Sequence, residues 1–159
     1  MRPAQASSGI RMERWCANQV PLYLIEVSGG GKFRAVRFGL VNHREKSLAP
    51  VRTCDARLAK ARTVVSEWIP TYSLHSFRLP GRPGAWRIHR GFLIHQGSDE
   101  KGIGGSLACV EIVGHGQWDS FLLTIEKQSG AKCATISKAG ALTIYVEEAP
   151  FPRATLVTP

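Results

Sequence analysis

No stretch of this 159-residue chain approaches the roughly 20 uninterrupted apolar residues that a membrane-spanning helix requires. The opening run Met1-Arg2-Pro3-Ala4-Gln5-Ala6-Ser7-Ser8-Gly9 lacks the apolar core of a secretory leader, so no export signal is expected. The four cysteines, Cys16, Cys54, Cys109 and Cys133, contain no C-x-x-C pair, which argues against a zinc ribbon or a dithiol redox motif; two disulfides stay open. Internal repeats and low-complexity tracts are absent too, which excludes a solenoid or a compositional linker.

What is present has the profile of one globular unit: 43% hydrophobic, 21% charged, 16 Gly and 9 Pro. A chain of this length can bury about 68–70% of its unfolded surface, so its core does not call for metal or disulfide staples. No cofactor is implied. Basic residues number 21 against 12 acidic ones, and 16 of the basic residues lie in the first 90 positions, beside only 5 acidic ones. Such a surplus favours anionic partners. Residues 1–20 read as a polar N-terminal extension, 21–150 as a single domain, and 151–159, which follows Pro150 and holds Pro152 and Pro159, as an extended tail.

The strand signals are clear. Leu22 to Val27 reads as a buried or half-buried strand, interrupted by Ser28-Gly29-Gly30-Gly31, and Lys32 to Leu40 alternates apolar and basic residues, so the two runs predict a hairpin with Lys32, Arg34 and Arg37 on its wet side. From 55 to 66 the spacing of Leu58, Ala61 and Val65 allows a short helix or an irregular basic crossover. Arg78 to Ala85 is turn chemistry, with Pro presetting one backbone angle and Gly accepting conformations other residues avoid. Trp86 to His89 and Phe92 to His95 predict a second hairpin around Arg90-Gly91, and Ser106 to Val113 a further strand. Trp118, Phe121, Leu122 and Ile125, at i, i+3, i+4 and i+7, predict an amphipathic helix stopped by Gly130, and Ala141 to Val146 a last strand. The expected fold class is mainly β (α+β), with one main helix.

One region combines residues that carry chemistry: Ile94-His95-Gln96-Gly97, then Gly104-Gly105-Ser106-Leu107-Ala108-Cys109-Val110-Glu111-Ile112. An ordinary thiol, with a pKa of about 8.5, is mostly protonated near neutrality, and a neighbouring imidazole can take its proton to make the attacking thiolate. His95 and Cys109 form such a candidate pair. The small residues around the cysteine allow a carbonyl substrate close to backbone N–H groups that can hold an oxyanion. The other readings are bland ones: Cys109 as a small buried hydrophobe, His95 as a strand-end histidine, Ser106 as a turn cap. Cys16, Cys54 and Cys133 read as structural. The spacings of His89, His95, His115 and Cys109 match no compact zinc motif.

These residues resemble the active-site signature of the YkuD-type L,D-transpeptidase catalytic domain. Ile94, His95 and Gly97 stand for its Ile-His-Gly element with Gln96 inserted, Ser106 for its Ser/Thr position, Cys109 for its nucleophile, and Pro83-Gly84-Ala85-Trp86-Arg87-Ile88 for its Pro-x-Gly-x-Tyr/Trp-x-Ile segment. The chain departs from the pattern at Leu107 (histidine in the family), Ala108 (glycine) and Glu111 (commonly arginine), and is more similar to compact forms that include peptidoglycan-targeting toxins. The likeness spans residues 80 to 147. It implies an L,D-transpeptidase-like β-sandwich or barrel in which His95 is the base, Cys109 the nucleophile, Ser106 an orienting group, and Gly105, Ala108 and Gly97 line the substrate and oxyanion site. It further implies peptidoglycan stem peptides as substrates, transpeptidation or carboxypeptidation through a thioester, action in the periplasm or cell wall, and an immunity protein as partner if the chain is a toxin. The alternative is an inactive domain of the same fold that binds an anionic polymer, cell-wall glycan or nucleic acid, through its basic first half; there the substitutions at 107, 108 and 111 mark lost chemistry. The aromatics do not interleave with basic residues as a base-stacking platform requires.

Overall fold

The computed structural model describes the backbone of residues 4–15, 18–38, 40–43, 47–50, 60–73, 81–97, 107–148 and 155–156, and the side chains of 23–37, 60–73, 81–97 and 109–148. The described residues are mainly β with two helices, one of them dominant. In chain order the strands are β1 (Ala4–Trp15), β2 (Asn18–Val27), β3 (Lys32–Phe38), β4 (Leu40–His43), β5 (Ser47–Pro50), β6 (Arg62–Val65), β7 (Trp68–Ile69), β8 (Ala85–His89), β9 (Phe92–Gln96) and β10 (Leu107–Ile112). Helices α1 (Gln117–Ser129) and α2 (Cys133–Lys138) follow, then β11 (Thr143–Val146) and β12 (Thr155–Leu156). The main sheet runs β6-β11-β1-β2-β3-β10-β9-β8-β7, with β12 beside β2, while β4 and β5 pair separately. Its neighbours are antiparallel except β1 with β11 and β10 with β9.

Both predicted hairpins form: β2 pairs with β3 from Leu22↔Val36 to Glu26↔Lys32, and β8 with β9 from Trp86↔Ile94 to His89↔Phe92. Alternation then sorts the side chains. Ile25, Phe33, Ala35, Trp86, Ile88, Ile94, Val110 and Ile112 face the helices and join one core with Trp118, Phe121, Leu122 and Ile125 of α1. Those four helix side chains are all buried, as their spacing requires, and each contributes about 1.5–3 kcal/mol of burial. Gly130 ends α1 in the left-handed conformation, φ 70°, that glycine adopts at least cost.

Four expectations change. Arg37 is not on the wet side with Lys32 and Arg34: an odd step along the strand puts it on the face of Phe33 and Ala35, where it is 3% exposed and donates from Nη1 to the Glu147 carbonyl at 3.4 Å. Burial pushes its guanidinium down to about 10, against the favourable field of Tyr23. The segment read as an N-terminal extension contains β1, which lies inside the sheet between β2 and β11. The tail contains β12, on the Asn18–Gln19 end of β2. The helical spacing at Leu58, Ala61 and Val65 does not yield a helix where it is described: Val65 ends β6, which pairs with β11. Residues 51–59 lie outside the described part.

The loop before β8 is tied to α1 by polar contacts. Arg82 donates to Glu126 from Nη1 at 2.6 Å and Nη2 at 3.1 Å, its backbone N–H donates to Asp119 Oδ1, and its carbonyl accepts the Trp118 indole N–H. Glu126, 7% exposed, also accepts the Cys133 N–H. The Arg82 hydrogen bonds hold the Glu126 carboxyl below the usual carboxylate range. Arg82→Ala is expected to cost about 1–2 kcal/mol in urea unfolding at pH 7, short of a fully enclosed pair because Arg82 is 39% exposed. Because the folded-state pKa of Glu126 is depressed, this stabilisation is complete above the unfolded carboxylate range and is lost as pH falls through the folded value. The difference between wild type and variant should therefore shrink below about pH 4.

Candidate functional site

The parallel ladder between β9 and β10 pairs Val110 with Ile94, Glu111 with His95 and Ile112 with Gln96. Ile94, Val110 and Ile112 point into the helix-covered core, so His95 and Glu111 stand side by side on the opposite face. Cys109, two residues before Glu111, is half-buried and reduced. The ladder between β10 and β3 loses register here: Leu107 faces Phe38 and Glu111 faces Val36, so four steps along β10 answer two along β3. Cys109 lies within this bulge, the kind of irregularity that re-aims a side chain beside a site.

His95 is 2% exposed. Its Nδ1 lies 2.8 Å from the Gln96 carbonyl oxygen, which can only accept, so Nδ1 carries the hydrogen and Nε2 is left with the basic lone pair. Glu111 Oε1 lies 3.8 Å from Nε2. Burial pushes the imidazole down from its ordinary value and the Glu111 carboxyl up to about 8, so at neutral pH the two meet as imidazole and carboxylic acid. Tyr72 covers the imidazole, ring centroids 5.1 Å apart and planes inclined by 43°. Burial raises the Tyr72 phenol, and negative charge on Cys109 and Glu111 raises it further, which places the thiol within electrostatic reach of the same ring.

Two of the residues singled out in the sequence, His95 and Glu111, thus stand side by side, and the Cys109 thiol acts on the Tyr72 ring that covers His95. Gly97 takes a different role from the one expected. Its N–H donates to the Ile112 carbonyl at 2.8 Å and is committed to the sheet rather than to an oxyanion. A Cβ at that position would lie 2.9 Å from the Ile112 oxygen and 3.0 Å from Glu111 Cβ, so the close approach of the strands that pairs His95 with Glu111 needs the missing side chain. Gly105 and Ser106 lie outside the described residues, and of Ala108 only its place in β10 is described. Cys16 and Cys54 also lie outside. Cys133 is buried, its thiol pushed up to about 12 by burial and by Glu126.

Tyr72 escaped the sequence reading. It sits in a turn-rich connection, and the Gly84 N–H donates to the Tyr72 carbonyl at 2.9 Å, which ties that connection to the segment before β8. Among the described residues no group of three or more His, Cys, Asp and Glu is arranged to hold a metal ion, and no helix is long and apolar enough to cross a membrane. No protein-family model, curated protein or solved structure matches this chain.

Proposed function

We propose that this chain is a cysteine-dependent acyl-transfer enzyme with Cys109 as nucleophile and His95 as base. Following the likeness of residues 83–88 and 94–112 to L,D-transpeptidases, its acyl donor is a peptidoglycan stem peptide, an L-configured centre followed by a D-amino acid. The observation that carries the reading is the placement of Cys109 in a strand bulge, within electrostatic reach of the Tyr72 ring that covers a buried histidine whose basic nitrogen is uncommitted to the backbone.

The steps follow from ordinary thiol chemistry. His95 Nε2 takes the proton from Cys109 Sγ, the thiolate attacks the donor carbonyl, and the tetrahedral oxyanion collapses to a thioester as the amine of the D-residue leaves with the proton from His95. An acceptor amine then gives transpeptidation, and water gives carboxypeptidation, from the same acyl-enzyme. Tyr72, kept neutral by its surroundings, shields the imidazole from water.

Incubating the purified protein with stem peptides, or with a carbapenem as an acylating trap, is expected to add one acyl mass to the peptide that contains Cys109. Absence of any adduct, together with polymer binding that weakens steeply with salt, would replace this reading with the anionic-polymer domain.

A further inference from the structure

Glu111 occupies a position that a thiol–imidazole pair does not need. Its Cα is in register with that of His95, its carboxyl lies 3.8 Å from Nε2, and the Gln96 carbonyl fixes the other ring nitrogen as the donor. The carboxyl therefore addresses the same lone pair that the Cys109 proton must reach. The other described titratable or charged groups on this face or at its edges include Tyr72 over the ring, Lys32 and Arg34, exposed toward the start of β3, Glu26 across from Lys32 on β2, His89 at the end of β8, and Arg87, which bridges to Glu67 at 3.2 Å and donates to the Arg90 carbonyl. Val36 is the residue paired with Glu111 across β3.

We propose that Glu111 is a positioning residue that latches His95: by closing from 3.8 Å to hydrogen-bond length its carboxyl proton occupies the Nε2 acceptor site for the Cys109 proton, and the thiolate forms only after that proton has left. The inference rests on the Cys109–His95 reading above. The balance is simple. The latched site holds one proton on Cys109 Sγ and one on the Glu111 carboxyl. The attacking site holds one, on His95 Nε2 between thiolate and carboxylate, and the other has gone to solvent. Burial, which keeps the Glu111 carboxyl protonated to about pH 8 while His95 stays neutral, supports a latched site at neutral pH.

The test is the rate at which iodoacetamide alkylates Cys109 between pH 6 and 9, read by peptide mapping so that the other cysteines do not interfere. Wild type, Glu111→Val, Glu111→Gln and His95→Gln are compared. Glu111→Val removes the latch and should raise the rate at pH 6.5 about tenfold. Glu111→Gln, whose amide keeps a permanent donor toward Nε2, should lower the rate at pH 8.5 about tenfold. Opposite shifts establish the latch. Shifts in the same direction, or none, overturn it, and in that event a slower His95→Gln variant leaves the dyad standing. If His95→Gln matches wild type throughout, the dyad and the latch fall together. Should the valine variant not fold, the isosteric glutamine variant decides alone.

Discussion

Cys109→Ala is expected to lower turnover of a stem-peptide donor at least about a thousand-fold and to abolish the acyl adduct, while leaving the unfolding midpoint nearly unchanged. Cys109 is half-buried and lies in the β10 bulge, so a smaller side chain there opens little core volume. Cys133→Ala should do the reverse, because that thiol is buried between α1 and α2, beside Glu126 and Ile136, and plays no part in the reaction. Its cost falls on stability, not turnover. Steady-state kinetics with a defined muropeptide, beside urea unfolding of both variants, separates the two roles. Full activity in Cys109→Ala would end the proposed mechanism.

Gly84→Ala should be the most disruptive single methyl in the described part of the chain, costing about 3 kcal/mol or more. Two independent penalties add. Gly84 has φ +126°, a conformation that L side chains rarely adopt, and a Cβ built on it overlaps the six-membered ring of Trp68. Trp68 cannot step aside cheaply, because it packs on Trp86 at 5.1 Å and stacks on Trp118 at 6.5 Å between ring centroids. The damage also reaches the site: the Gly84 N–H holds the Tyr72 carbonyl, and Tyr72 covers His95. Urea unfolding with an unchanged slope and a much lower midpoint is the expected result. A loss under about 1 kcal/mol would mean that this loop adjusts more freely than its packing indicates.

Local pattern carried the fold a long way. The two hairpins, the helix over Trp118 to Ile125 and strand β11 could be read because each rests on a short-range rule: two-residue alternation, 3.6-residue spacing, or a glycine stop. The misreadings share a cause. The first fifteen residues show a weak apolar pattern, and their strand is secured by partners at positions 18–27 and 144–146 that no local window contains. Arg37 looked like another basic residue of a wet strand face until parity along β3 placed it with Phe33 and Ala35. Helix α2 buries Cys133 and Ile136 within six residues, too little for a periodicity to register.

The candidate site divides in the same way. His95 and Cys109 could be picked out in the sequence because their residue types are chemically capable and short glycine-containing elements flank them. Their neighbours could not. Glu111 becomes the partner of His95 through the parallel register of β9 and β10, and Tyr72 reaches the imidazole from a connection whose carbonyl accepts the Gly84 N–H. Side-chain chemistry and local periodicity are properties of neighbours along the chain, so the sequence alone determined the two hairpins, strands β10 and β11, helix α1 and the candidate thiol and imidazole. Which acid faces the imidazole, which ring covers it and which arginine is buried depend on strand register and on contacts between distant segments, and these the tertiary structure decided.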